Sequence, residues 1–279
     1  EGLLAGRIEE LQPRDVSGLT SMGGSAIQSA RCAEMYEDHG PKDAADILVR
    51  NEIDGLVVIG GDGSYRGALK IAEHGVPVIG LPGTIDNDIV GSERTIGFDS
   101  AVNTLAWCLA RLRDTAASHH RTFVVESMGR NSGWLALYSG LAGGADVILV
   151  PEIEWTREEV LKVIRRRVDE GRTFHLVVIA EGAGDANELA HWLQAETPEE
   201  LEVRATIPGH IQRGGEPSVA DRVFATLCGK QAVDALKAGR VNVMVGEQKG
   251  EIVEVPLKEG AEGSRTIDRA LYDLAMEIG

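Results

Sequence analysis

Cysteine is scarce. Cys32, Cys108 and Cys228 are widely separated and form no C-x-x-C pair, which excludes a disulfide framework and a structural zinc site, and favours a reducing, cytoplasmic setting. Aromatic residues make up only 4% of the chain, so the core has to be aliphatic. No apolar run approaches the ~20 residues of a membrane-spanning helix, and no basic segment leads into an apolar one. Basic side chains are outnumbered 28 to 44, and the net charge of −16 opposes non-specific binding to nucleic acid or anionic membranes. Small anions are still admitted wherever arginines cluster. A Walker A sequence is missing, and Gly61-x-Gly63-x-x-x-Gly67 is one residue too long for a dinucleotide fingerprint. The chain opens on Glu1 in a Gly-rich stretch, from which an absent native N-terminus is expected.

What the sequence does have is glycine, 34 residues of it, and short aliphatic runs at 56–59, 77–81, 122–126, 147–150 and 175–180. Each run is nearly continuous, as strands buried on both faces are, and longer amphipathic segments lie between them. The expectation is an α/β fold with a mainly parallel sheet covered by helices. Helices are expected at 41–51 (Ala44, Ala45, Leu48 and Val49 on one stripe), 100–118 (Val102, Leu105, Leu109, Leu112), 187–196, 219–237 and 266–278. Thr156 with Glu159 forms a capping box for another, ending near Gly171. The stretch around Gly246, Gly250, Gly260 and Gly263 reads as looser.

Chemistry concentrates at strand ends. Gly60-Gly61-Asp62-Gly63-Ser64 follows a strand and precedes a helix expected near Tyr65. Such a turn admits an anion close to the backbone, and Asp62 there suits a bridging divalent cation or, equally, a helix cap. In Pro82-Gly83-Thr84-Ile85-Asp86-Asn87-Asp88 two carboxylates at i and i+2 share one side, which suits a base and a metal ligand, or an Asx-turn cluster. A dispersed set contains Arg121, Met128-Gly129-Arg130, Glu181, Arg204 and His210-Ile211-Gln212-Arg213-Gly214-Gly215. Its four basic side chains Arg121, Arg204, His210 and Arg213 would suit a phosphate.

These motifs, with Thr95-Ile96-Gly97-Phe98-Asp99 and Leu141-Ala142-Gly143-Gly144, stand in the order found in bacterial-type ATP-dependent 6-phosphofructokinases, and the sequence resembles that family over essentially its whole length. The resemblance implies two three-layer α/β/α lobes with mainly parallel sheets. One, at 1–97 plus 215–264, would hold nucleotide and Mg2+; the other, at 98–214 plus 265–279, would hold the sugar phosphate. It implies transfer of the γ-phosphoryl group of ATP to the 1-hydroxyl of fructose 6-phosphate in glycolysis. Asp86 matches the general base, Asp62 a magnesium ligand, Asp88 a supporting carboxylate, and Thr84 a contact to the transferring group. Arg31 matches an arginine on the nucleotide phosphates, with Cys32, Gly61, Gly63, Ser64 and Gly67 beside the nucleotide. His210 and Arg213 match 6-phosphate ligands, and Glu181, Met128, Gly129 and Arg130 sugar contacts. Arg121 and Arg204 match arginines that reach a neighbouring subunit's site in a homotetramer. Arg113, Arg172 and Asp146 fall at effector-site positions of an allosteric enzyme.

Similar enzymes that use pyrophosphate carry Asp where Gly63 stands and Lys where Gly83 stands, so the two glycines imply ATP as donor. The family's first strand and its Gly-Gly-Asp-x-x-Gly-x-Asn loop have no counterpart here. Three alternatives therefore stand beside the main reading: a pyrophosphate enzyme, a non-catalytic sugar-phosphate-binding relative, and a kinase of NAD or lipid sharing Gly-Gly-Asp-Gly.

Overall fold

The structure, a computed structural model, describes residues 1–197 and 201–279. In chain order its elements are α1 (His39–Arg50), β1 (Leu56–Gly60), α2 (Asp62–Ala72), β2 (Val78–Thr84), β3 (Ile96–Gly97), α3 (Phe98–His119), β4 (Arg121–Ser127), α4 (Trp134–Gly143), β5 (Val147–Leu149), α5 (Arg157–Asp169), β6 (His175–Ala180), α6 (Ala186–Glu196), β7 (Glu202–Thr206), α7 (Val219–Lys237), β8 (Val243–Gln248), β9 (Glu251–Pro256), α8 (Leu257–Glu262) and α9 (Arg269–Ile278). Short 3-10 turns lie at Leu19–Ser21, Ala33–Tyr36 and Gly209–Arg213. The chain divides into two compact units, Glu1–Thr84 with Ile89–Gly97 and Glu216–Arg265, and Ile85–Asp88 with Phe98–Gly215 and Thr266–Gly279. Residues 85–88, assigned from sequence to the first lobe, group with the second, where Ser132 donates to the Asp86 carbonyl.

In the first unit the strand order is β1-β2-β8-β9, with β3 beside β2. β1, β2 and β8 run parallel and β9 antiparallel. Side chains of β2 alternate between faces, as the two-residue period of a strand requires. Val78 packs with Tyr65 and Ala68 of α2 and with Leu257 and Ala261 of α8. Ile79 and Leu81 pack with Phe224, Cys228, Ala232 and Ala235 of α7. β1 is the outermost strand, and Ile59 is 55% exposed, whereas the sequence suggested a strand covered on both faces. On α1, Ala44, Ala45 and Leu48 face the core, but Val49, expected on that stripe, is exposed.

The stretch read as loose is a hairpin. β8 and β9 pair through a two-residue turn at Lys249 and Gly250, both with left-handed backbone, φ +53° and +79°, a geometry that matches the twist of paired strands. The glutamates of β9 fall on a half-wet strand, which hides the aliphatic signal.

The second unit has a fully parallel sheet, β5-β6-β4-β7. On one face Phe123, Val125, Leu176 and Val178 meet Leu105 and Leu109 of α3, with α4 and Tyr272 and Ala275 of α9. On the other, Val124, Val177 and Ile179 meet Val160, Leu161 and Ile164 of α5 and Leu189 and Leu193 of α6. The capping box at Thr156 and Glu159 is formed in both directions. α4 was not anticipated, because it is apolar on nearly every side and buried accordingly, leaving no amphipathic period to read. Among the described residues no helix is long and apolar enough to cross a membrane.

Tyr65 is fully buried, its hydroxyl makes no hydrogen bond, and burial holds its pKa far above that of a free phenol. Room for its ring comes from Gly80, where an added Cβ would lie 2.5 Å from Leu257 Cδ1 and 2.8 Å from Tyr65 Cε1. Gly80→Ala is expected to destabilise by about 1–3 kcal/mol through overpacking. Tyr65→Phe should be neutral or stabilising by up to about 1 kcal/mol, since it removes an unpaired buried hydroxyl. Urea denaturation checks both; a strongly destabilised Tyr65→Phe contradicts this account.

Candidate active site

β2 ends at Thr84, whose carbonyl accepts a hydrogen bond from Thr95 Oγ1 at 2.7 Å. The chain then turns through Asp86, Asn87 and Asp88. Asn87 is buried with φ +52°, a left-handed conformation that Asn adopts more readily than most residues. Asp86 is only 7% exposed. Its carbonyl accepts from Ser132 Oγ at 2.7 Å, and its Oδ2 lies 3.8 Å from Arg130 Nε. Burial pushes the Asp86 carboxyl up to about 6, Asp88 and Glu181 push the same way, and Arg130 and Arg213 pull it down. A carboxylate poised there is chemically a base available near neutral pH.

The residues around Asp86 come from the carboxyl ends of parallel strands, where open α/β sheets present ligand sites. After β4, the turn 128–133 places Gly129 at φ +133°, where an added Cβ would lie 2.5 Å from the Ser132 carbonyl oxygen. Arg130 follows at φ +53°. The amides of Gly129 and Arg130 both donate to Glu181 Oε1, at 3.1 and 2.7 Å, and Glu181 directly follows β6. The Met128 amide donates to Gln212 Oε1 at 3.1 Å, and Gln212 Nε2 donates to the Gly209 carbonyl at 3.2 Å. Gln212 thus ties the turn after β7, which carries exposed His210 and Arg213, to the turn after β4.

Arg121 and Arg204 are placed elsewhere. Arg121 opens β4, seven residues before Met128 and about 23 Å away along the strand at ~3.3 Å per residue. It pairs with Glu202, and Arg204 Nε donates to the same carboxylate at 2.7 Å. The four basic residues considered as one phosphate pocket are therefore split, with Arg213 near Asp86, Arg121 at the other end of β4, and Arg204 in the middle of β7.

In the first unit, α2 begins at Asp62, three residues before the start expected near Tyr65. Gly61 is its extended N-cap, and an acid in the first turn complements the helix dipole. Asp62 therefore does not cap the helix; it pairs with Arg66 at 2.8 Å. Gly67 lies in mid-helix, not in the loop, with Met35 Cε 4.0 Å from where its Cβ would be. Arg31 is exposed and Cys32 half-buried, just before the turn Ala33–Tyr36. Gly63 faces open space apart from Arg66 Nη2 at 3.7 Å from an added Cβ, whereas at Gly83 a Cβ would sit 2.8 Å from Ile59 Cγ2 and 3.3 Å from the Gly60 amide nitrogen. A side chain at Gly83 would therefore press on β1, and Gly63 and Ser64 belong to the first turn of α2. Among the described residues no cluster of three or more His, Cys, Asp or Glu side chains is arranged to hold a metal.

Residues 1–236 match the family described as Phosphofructokinase. The chain belongs to the phosphofructokinase family. An ATP-dependent 6-phosphofructokinase from Shouchella clausii (strain KSM-K16) is 45% identical over 278 residues, all but a fraction of this chain and 86% of that one. A protein of the same name from Bacillus subtilis (strain 168) is 43% identical over 277 residues, 99% of this chain and 86% of the other. The crystal structure of Pichia pastoris phosphofructokinase in the T-state superposes with a TM-score of 0.88 at 36% identity, covering 100% of this chain, which spans 33% of the much longer yeast chain.

At the positions considered for an effector in this phosphofructokinase-family chain, Arg172 Nη1 lies 3.0 Å from Asp146 Oδ1 and Arg113 donates to the Gly143 carbonyl at 2.5 Å. Two residues of the Asp86 surroundings escaped sequence reasoning: Ser132, a lone serine, and Gln212, noticed only as part of its motif. Gln212→Ala is expected to raise KM for the sugar substrate several-fold and to destabilise by about 1–3 kcal/mol, because the Met128 amide loses its buried acceptor. Steady-state kinetics with urea titration checks this; unchanged KM and stability contradict the tie between the two turns.

Proposed function

We propose that the chain is an ATP-dependent 6-phosphofructokinase that transfers the γ-phosphoryl group of ATP to the 1-hydroxyl of fructose 6-phosphate, giving fructose 1,6-bisphosphate. The observation that carries the reading is the buried Asp86 carboxylate, with a pKa near 6, beside Arg130 and Arg213. Asp86 accepts the hydroxyl proton as the oxygen attacks phosphorus, and ADP takes the electron pair of the broken P–O bond. Glu181 and the turn 128–130 orient the sugar, and His210 and Arg213, exposed on one 3-10 turn, receive the 6-phosphate. Thr84 contacts the transferring group, and Asp88 supports metal and geometry.

In the first unit, Gly61, Asp62, Gly63 and Ser64 open α2, whose free amides suit nucleotide phosphates. Arg31, Cys32 and Gly67 complete the assigned nucleotide surroundings. Mg2+ is usually held by one or two carboxylates plus substrate phosphates and water, so the half-buried carboxylate of Asp62, paired here with Arg66, fits that mode of binding better than a dedicated protein cage. When bound, the cation neutralises phosphate charge. Arg121 and Arg204, set apart from Asp86 and sharing Glu202, suit a role toward a neighbouring copy in a homotetramer. Three unpaired cysteines favour a cytoplasmic setting.

Asp86→Asn is expected to lower kcat by about 10²–10⁴-fold while fructose 6-phosphate binding persists. Because the base has to be ionised, kcat/KM should fall about tenfold per pH unit below about 6 in the wild type. Asp88→Asn removes a charge that raises the Asp86 pKa, so the acid limb should move to lower pH in whatever activity remains. An acid limb near 4 in the wild type would contradict the assignment, as would turnover retained in Asp86→Asn. Sugar binding without any ATP turnover would select the non-catalytic alternative.

The donor question has a clean test at Gly63 alone, since a side chain at Gly83 would disturb β1 as well. Gly63→Asp should raise KM for ATP at least tenfold with little change in thermal midpoint. Side-by-side assays with ATP and pyrophosphate read this out, and unchanged ATP kinetics would refute the donor logic.

A further inference from the structure

Ser132 stands one turn away from the groups assigned to chemistry. It is 3% exposed, and its hydroxyl donates to the Asp86 carbonyl at 2.7 Å while lying 3.4 Å from the Trp134 amide that opens α4. Its own amide donates to the Gly129 carbonyl at 2.9 Å, closing the turn 128–133. The next amide, of Gly133, is held by both carboxylate oxygens of Glu152 at 2.9 and 3.1 Å. That turn therefore grips Asp86 at two points. Ser132 holds its backbone, and Arg130 lies against its carboxylate at 3.8 Å. The same turn presents the Gly129 and Arg130 amides that fix Glu181.

We infer that Ser132 is a positioning residue, whose hydroxyl locks the Asp86 turn to the sugar-orienting turn 128–130 so that the base is aimed by the loop that holds the acceptor. The inference rests on the reading of Asp86 as the base. The 2.7 Å hydrogen bond restrains the Asp86 backbone, and displacement of a reacting group by ~1 Å costs up to about 10²-fold in rate. A serine that merely filled space would not need its hydroxyl directed at the backbone of the base.

Steady-state kinetics on the full chain, with calorimetry of fructose 6-phosphate binding, tests this. Ser132→Ala is expected to lower kcat about tenfold, with sugar affinity within about twofold of wild type. Ser132→Cys, which keeps the volume and a weak S–H donor, should fall between the two and guards against a poorly folded alanine variant. In an Asp86→Asn background, Ser132→Ala should change the residual turnover by less than twofold, because there is no base left to aim. Equal proportional losses in both backgrounds, or unchanged kcat in Ser132→Ala, would overturn the positioning role alone. Wild-type turnover in Asp86→Asn would instead overturn the reading on which it rests.

Discussion

A carboxylate taken out of water next to guanidinium groups constrains everything around it. Asp86 is buried enough to be raised toward neutrality, yet Arg130 and Arg213 oppose full protonation. Burial without the arginines would leave a neutral acid, and arginines without burial would leave a weak base. The balance needs a backbone that does not drift, and hydrogen bonds between the turns around Asp86 supply that restraint. Glu181 serves two amides, Gln212 ties two loops, and Glu152 and Ser132 hold the turn from behind.

The parallel sheet makes that convergence possible. β4, β6 and β7 end on the same side, so the residues just beyond them fall close together although they are separated by up to some eighty positions in sequence. Arg121 shows the converse. It belongs to the same motif set, but it begins a strand and so is carried to the far end.

Much of this was legible in the residues. Runs buried on both faces announced β4 and β6, the capping box announced α5, and the strand-end motifs announced the turns bearing Asp86, Met128 and Glu181. What failed had physical reasons. β9 is short, has Glu251 and Glu254 interrupting its aliphatics and follows Gly250, so it resembled loop; α4 has no polar face, so it gave no period; the helix at Asp62 starts on glycines, which propensity alone counts against. Ser132 was invisible because a single hydroxyl acquires meaning only through the carbonyl it finds in three dimensions. Gly83 was given a role in donor choice, and its contact with the neighbouring strand could not be read from the residues.

The outer strand β1 carries a further consequence. Leu56, Val57, Val58 and Ile59 contain neither charge nor proline, and among the described residues no strand pairs with their outer side. An open rim of that kind is a template for any other extended chain. Separation between copies then depends on their mutual repulsion, and a net charge of −16 supplies it over roughly 10 Å at 0.1 M salt but only about 3 Å at 1 M. Pairing at this edge is thus opposed less strongly as ionic strength rises.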